Sequence, residues 1–303
     1  MIRTGAEDEP AIAAVEEGEA DWVEVPPERV RALATQRPAE LHSDPLLATY
    51  YMFLNVRLPP FDDLRVRRAL NLATDRARLV ELLGGPLAAQ PTCQIVPPNV
   101  FGYRPHCPYT VNPSPAGTWI APDVAKAQQL VEASGTRDMK VAVSTFTGQE
   151  TIGRYFTSLL RRLGYASSLR VLADDKYFST VADSSARVQI GSTAWFADFP
   201  AASNFVDQLF SCESFIPANS SNLNYSGLCD PGVDRAIDAA RRAQARDPRA
   251  GGELWGAADR ALTDTAAAVP FANLRALVLV SERVGNYQYH PVWGTLLDQL
   301  WVR

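Results

Sequence analysis

The chain has 303 residues, 47% of them hydrophobic, and a formal net charge of -5. That is long enough for one large domain or two modest ones with real cores, so disorder is not the default. The acidic balance offers no global positive field and argues against nucleic acid as a partner, while no apolar run approaches the roughly 20 residues of a membrane-spanning helix.

Residues 1–10 contain neither an apolar signal core nor a lipidation cysteine, so as written they carry no export signal. Taken alone this favours the cytoplasm, but it also follows if the chain begins midway through a longer protein. Ile12, Ala13 and Val15 predict a short helix over 7–17, stopped by Gly18, and 21–25 reads as a strand ended by Pro26 and Pro27. A second helix is expected over 27–35, then a loop, then a buried strand over 50–54.

Asp62 or Asp63 caps a helix expected to run to Leu83, where Gly84 and Gly85 end it. The proline-rich stretch 86–122 reads as ordered loop. Helices over 122–134 and 150–163 alternate with strands over 139–146, 169–172 and 188–195, the pattern of an α/β lobe. Two alanine-rich helices over 231–245 and 248–267 precede extended chain over 268–280, and the tail ends in turns and the apolar run 296–302.

The four cysteines fall into two loop-embedded pairs, Cys93 with Cys107 and Cys212 with Cys229. Two local disulfides and an oxidising compartment are the natural reading. Closing the first loop stabilises by about 3 kcal/mol on the chain-entropy model. Four buried thiols are the plain alternative and zinc a weaker third, since the histidines His42, His106 and His290 are scattered and no C-x-x-C spacing occurs. No metal site and no cofactor are expected.

The run Leu54-Asn55-Val56-Arg57-Leu58-Pro59-Pro60-Phe61-Asp62-Asp63-Leu64-Arg65-Val66-Arg67-Arg68-Ala69-Leu70-Asn71-Leu72-Ala73-Thr74-Asp75-Arg76 resembles the signature of the family-5 solute-binding proteins, which serve peptide and nickel ABC importers. Further matches follow in order at Gly18-Glu19-Ala20-Asp21-Trp22, Pro97-Pro98 with Gly102-Tyr103, Trp195-Phe196-Ala197-Asp198-Phe199-Pro200, Cys229-Asp230-Pro231 and Ser281-Glu282-Arg283-Val284. The resemblance implies a type II periplasmic-binding-protein-like clamp of α/β class. One complete lobe would span 53–270, with remnants of the other over 1–52 and 271–303 and hinge strands near 51–55 and 269–273. It also implies capture of an oligopeptide or other small solute by lobe closure, ABC permease subunits as partners, and an extracytoplasmic location for the full-length parent.

On that resemblance Asp198 pairs with a peptide α-amino group while Trp195 lines the cleft, a charge-assisted contact with strong end selectivity. A turn-forming Asp198 and a core Trp195 are the equal alternative. Phe199 stands where the family commonly has tyrosine, which leaves the ligand chemistry open. Asn55 and Phe53, at the expected lobe crossing, meet a ligand or serve the strand end, the second being favoured. Arg65, Arg67 and Arg68 read as a solvated helix face with Asp62, Asp63 and Asp75.

Catalysis has little to build on: no G-x-S-x-G, H-E-x-x-H or phosphate-binding glycine motif occurs, so the chain reads as a non-enzyme. A ligand-sensing domain of a larger regulatory protein is the alternative function, and a serine hydrolase assembled in space a remoter one.

Overall fold

The structure, a computed structural model, describes residues 7–303; residues 1–6, on which part of the export-signal reading falls, lie outside the described residues. The chain opens with α1 (Asp8–Glu16), β1 (Trp22–Glu24) and α2 (Pro27–Gln36). Ile12, Val15, Val30 and Leu33 from these helices pack against Leu277 and Leu279 of β7 (Ala268–Val280) in a small core of their own.

Strand β2 (Leu41–Leu54) is far longer than the segment 50–54 predicted for it. Its first half holds His42, Ser43, Asp44 and Pro45, poor strand formers that β7 recruits by pairing, Leu41 opposite Leu279 through Pro45 opposite Arg275. A register irregularity between Pro45 and Thr49 follows. Beyond it, residues 47–54 are buried on both faces, as a strand in the middle of a covered sheet should be.

The expected single helix from Asp63 is two, α3 (Leu64–Ala73) and α4 (Arg76–Leu82). Thr74 is extended and its hydroxyl donates to the Leu70 carbonyl at 2.7 Å, while the Asp75 carboxylate caps the second helix by accepting from Arg78 N at 3.0 Å. The local capping bonds thus break the helix where periodicity alone would continue it. The proline-rich stretch contains a short strand, β3 (Ala89–Pro91), which pairs with β7.

There follow α5 (Val124–Ser134), β4 (Lys140–Phe146), α6 (Glu150–Arg162), β5 (Ala166–Leu172), α7 (Asp174–Ala182), β6 (Ile190–Phe196), α8 (Ser203–Phe210), α9 (Pro231–Gln244) and α10 (Pro248–Thr265). Four short strands end the chain: β8 (Val284–Gly285), β9 (Tyr289–His290), β10 (Gly294–Thr295) and β11 (Trp301–Val302). The main sheet runs β1-β7-β2-β6-β4-β5, with β3 also on β7; β4, β5 and β6 are parallel, and β7 is antiparallel to each of its partners.

Alternation along β2 splits the two larger cores. Met52 and Leu54 join Phe156, Leu160 and Phe271 on one face, whereas Tyr51 and Phe53 join Tyr177, Phe205 and Trp255 on the other.

Buried polar groups fasten the helices to the sheet. Arg76 is fully buried and donates to the carbonyls of Thr92 (2.7 Å), Pro270 (3.0 Å) and Asn71 (3.1 Å). Desolvation lowers its pKa to about 10, which leaves it charged at neutral pH. Asn71 Nδ2 donates to the Ala268 carbonyl at 2.9 Å. Arg67 departs from the solvated face expected of it: it is buried and donates to the carbonyls of Phe61 and Thr265. Arg65 does lie at the surface, paired with Asp63.

Both cysteine pairs are bonded. The Cys93–Cys107 loop lies on α10, where Gly252 leaves room for the Phe101 ring and Gly256 for the Gly102 backbone; a Cβ on Gly256 would sit 2.6 Å from the Gly102 carbonyl oxygen. Beneath it the buried Asp259 accepts from Gln94 Nε2 at 2.7 Å, and Gln94 in turn accepts from His106 N. Burial raises the Asp259 carboxyl to about 7, with the Gln94 bond opposing.

Candidate functional site

The parallel strands β4 and β5 end level at Phe146 and Leu172, β6 runs on to Phe196, and their carboxyl ends form a rim, the edge of an open α/β sheet where ligands commonly bind. The first half of β2 runs on past this rim toward the small core, so the rim borders the irregularity between Pro45 and Thr49. Apolar side chains crowd it without being covered. Phe196 is 54% exposed, Phe199 46% and Phe178 42%, and the Phe146 ring lies 5.4 Å from that of Phe178.

Three of the residues singled out in the sequence meet here. Trp195, opposite Thr49 on β2, donates its Nε1 to Asn204 Oδ1 at 3.1 Å. The Asp198 backbone N–H donates to the same oxygen at 2.9 Å, and Asn204 Nδ2 donates to Asp198 Oδ2 at 3.0 Å. Asn204 is fully buried in the first turn of α8 and so fixes both the indole and the carboxylate. Asp198 itself is exposed, and its Oδ1 has no partner among the described residues. A carboxylate held by one oxygen and open at the other is suited to receive a charged donor from a ligand.

At the strand crossing, Asn273 Nδ2 donates to Thr49 Oγ1 at 2.8 Å, both side chains being buried. Nearby, the Tyr50 hydroxyl donates to Gln149 Oε1 at 2.6 Å, and burial holds this phenol above its ordinary pKa.

Phe53 and Asn55 stand apart from this group. Phe53 is 1% exposed, deep in the core against Gly191 and 5.4 Å from the Tyr225 ring. Asn55 lies at the opposite end of β6, where Nδ2 donates to the Val188 carbonyl at 3.0 Å and Oδ1 accepts from Arg57 N. Sequence reading passed over Asn204, Phe146 and Phe178. The signal for Asn204 was a polar residue opening the apolar set Phe205, Val206, Leu209 and Phe210.

The family model described as bacterial extracellular solute-binding proteins, family 5 Middle, matches residues 1–216. The chain belongs to this family. Among family-5 relatives, the probable di/tripeptide-binding protein 5 of Pseudomonas aeruginosa is 28% identical over 255 residues, covering 83% of this chain and 45% of the relative. The periplasmic oligopeptide-binding protein OppA of Escherichia coli is 26% identical over 283 residues, 87% of this chain and 46% of its own length. The chain thus spans about half the length of the curated relatives it matches.

The solved structure of clavulanic acid biosynthesis oligopeptide binding protein 2 superposes with a TM-score of 0.87 at 23% identity, over 98% of this chain and 55% of that one. At that identity the likeness speaks for the fold, which is the clamp-type α/β fold expected from the sequence. These relatives are solute-binding proteins rather than enzymes, and no helix among the described residues is long and apolar enough to cross a membrane.

Proposed function

We propose that this chain forms one wall of a solute-binding clamp, that its ligand is a short peptide with a free α-amino group, and that the loaded clamp delivers to ABC permease subunits outside the cytoplasm. The observation that carries this reading is the Trp195–Asn204–Asp198 network, which presents one free carboxylate oxygen on an aromatic rim. An ammonium on Asp198 gains a charge-assisted bond, and the peptide body covers exposed phenyl surface. The relatives named for di/tripeptides and oligopeptides support the peptide class.

Lobes divided near residues 52 and 270 close over the ligand by bending β2 and β7. The irregularity between Pro45 and Thr49 and the Thr49–Asn273 bond support that crossing as the pivot. Closure follows from ligand contacts made on both walls only in the closed state.

Calorimetric titration of tripeptides with free and acetylated N-termini tests the proposal. Free-amine peptides are expected to bind at least tenfold more tightly, and Asp198→Ala to erase that preference with the fold unchanged by circular dichroism. Equal affinity for both peptide forms, or a preference that survives Asp198→Ala, overturns the amino-group assignment.

A further inference from the structure

At the other end of β6 from the rim lies a cleft of about 250 Å³ that the solute-binding reading does not use. Seven residues of β6 separate the two, about 20 Å at strand rise. Asn55 and Val188 lie at its base, bonded to each other, and Asn55 Oδ1 fixes the backbone of Arg57.

One wall is the 3-10 turn Ser184–Ala186 after α7, closed by Arg187 in left-handed conformation (φ 51°, ψ 42°). Such a backbone is costly for a residue with a Cβ, so the surrounding contacts must hold it. The facing wall, Phe215, Pro217, Asn222 and Tyr225, comes from the loop closed by Cys212–Cys229. The Ser184 hydroxyl accepts from Ala218 N at 2.9 Å and joins the two walls.

Two guanidinium groups line this cleft, and neither has a carboxylate partner among the described residues. Arg57 is set in place: Nε donates to the Gly227 carbonyl at 2.8 Å, and the guanidinium lies 4.2 Å over the Phe215 ring. Its two terminal nitrogens are uncommitted. The cleft's own carboxylate, Asp183, accepts from Ser185 N through Oδ1 at 2.9 Å. The cleft therefore carries a local charge of +1 (Arg57 and Arg187 against Asp183) in a chain whose net charge is -5.

The geometry points to a second ligand site here, for a small organic monocarboxylate with a flat apolar body. A guanidinium fork matches a carboxylate in shape and charge, one negative charge neutralises the cleft, and Phe215 and Tyr225 offer aromatic surface to the body.

The test is an NMR titration of the isotope-labelled chain with sodium benzoate at constant ionic strength, with neutral benzamide and inorganic phosphate in parallel. Saturable shifts are expected at the amides of Arg57, Arg187, Asn222 and Tyr225. Benzamide should bind at least tenfold more weakly than benzoate. Arg187→Gln and Arg57→Gln should each weaken benzoate at least fivefold, Arg57→Lys less, and Asp198→Ala not at all. Non-saturating shifts, equal response to benzamide, or indifference to both arginine variants overturns the site. Tight phosphate binding without benzoate binding overturns the carboxylate class, and shifts centred on 195–199 assign the effect to the rim.

Discussion

Asp259 shows how one buried carboxyl writes a pH dependence into the fold. In the folded chain it stays protonated up to about 7, whereas in an unfolded chain an aspartate ionises near pH 4, by about 3.9. Between those values the folded state binds more protons, so this residue's contribution to stability is full below about pH 4 and is lost as pH rises to about 7. Comparing thermal unfolding of the parent with Asp259→Asn at pH 4 and pH 8 isolates it, because other carboxyls cancel in the difference. The parent's melting temperature relative to the variant should fall from pH 4 to pH 8. A constant difference would mean that Asp259 is ionised in the fold throughout. Asp259 carried no signal in the sequence; its burial depends on Gln94 and the Cys93–Cys107 loop, more than 150 residues away along the chain.

Elements were legible where periodicity or capping spoke for itself. α6 repeats Ile152, Phe156, Leu159 and Leu160 on one face and ends in Arg161 and Arg162, which complement its dipole. α7 and α8 went unread because nine and eight residues give too few turns for a period to show. The first half of β2 was hidden for a different reason: its pairing with β7, not its composition, makes it a strand. In α10, glycines at 252 and 256 lower helix propensity but admit the Phe101 ring and the Gly102 backbone of the Cys93–Cys107 loop. Gly256→Ala therefore sets two effects against each other. Alanine gains about 1 kcal/mol in helix propensity, and the clash with the Gly102 carbonyl costs about 1–3 kcal/mol. The packing cost should win, lowering the urea midpoint; a raised midpoint would show that the loop moves aside freely.

At the scale of the whole molecule, the family signature proves to be mainly a fastening. Asn71, Arg76 and Arg67 tie α3 and α4 to β7 and to the chain entering it, through the carbonyls of Ala268, Pro270 and Thr265. The candidate site was half legible. The Trp195 to Pro200 run located the rim, while Asn204, Phe146 at the end of β4 and Phe178 on α7 became visible only once the fold brought them together. β7 is the member on which the rest depends, since β1 and β3 pair with it alone. A chain ended at residue 267 should accordingly lose cooperative urea unfolding; retention of a single sharp transition would show that β2, β4, β5 and β6 suffice.

That position in the sheet also sets a timetable. β7 is inserted between β1 and β2, yet it is synthesised more than 200 residues after the segments it pairs with there. Contacts spanning more than 200 residues are slow to form because the intervening chain must first be brought together. Until residue 280 is free of the ribosome, one flank of β2 lacks its partner strand and its apolar side chains wait partly uncovered, the condition under which nascent chains depend on chaperones.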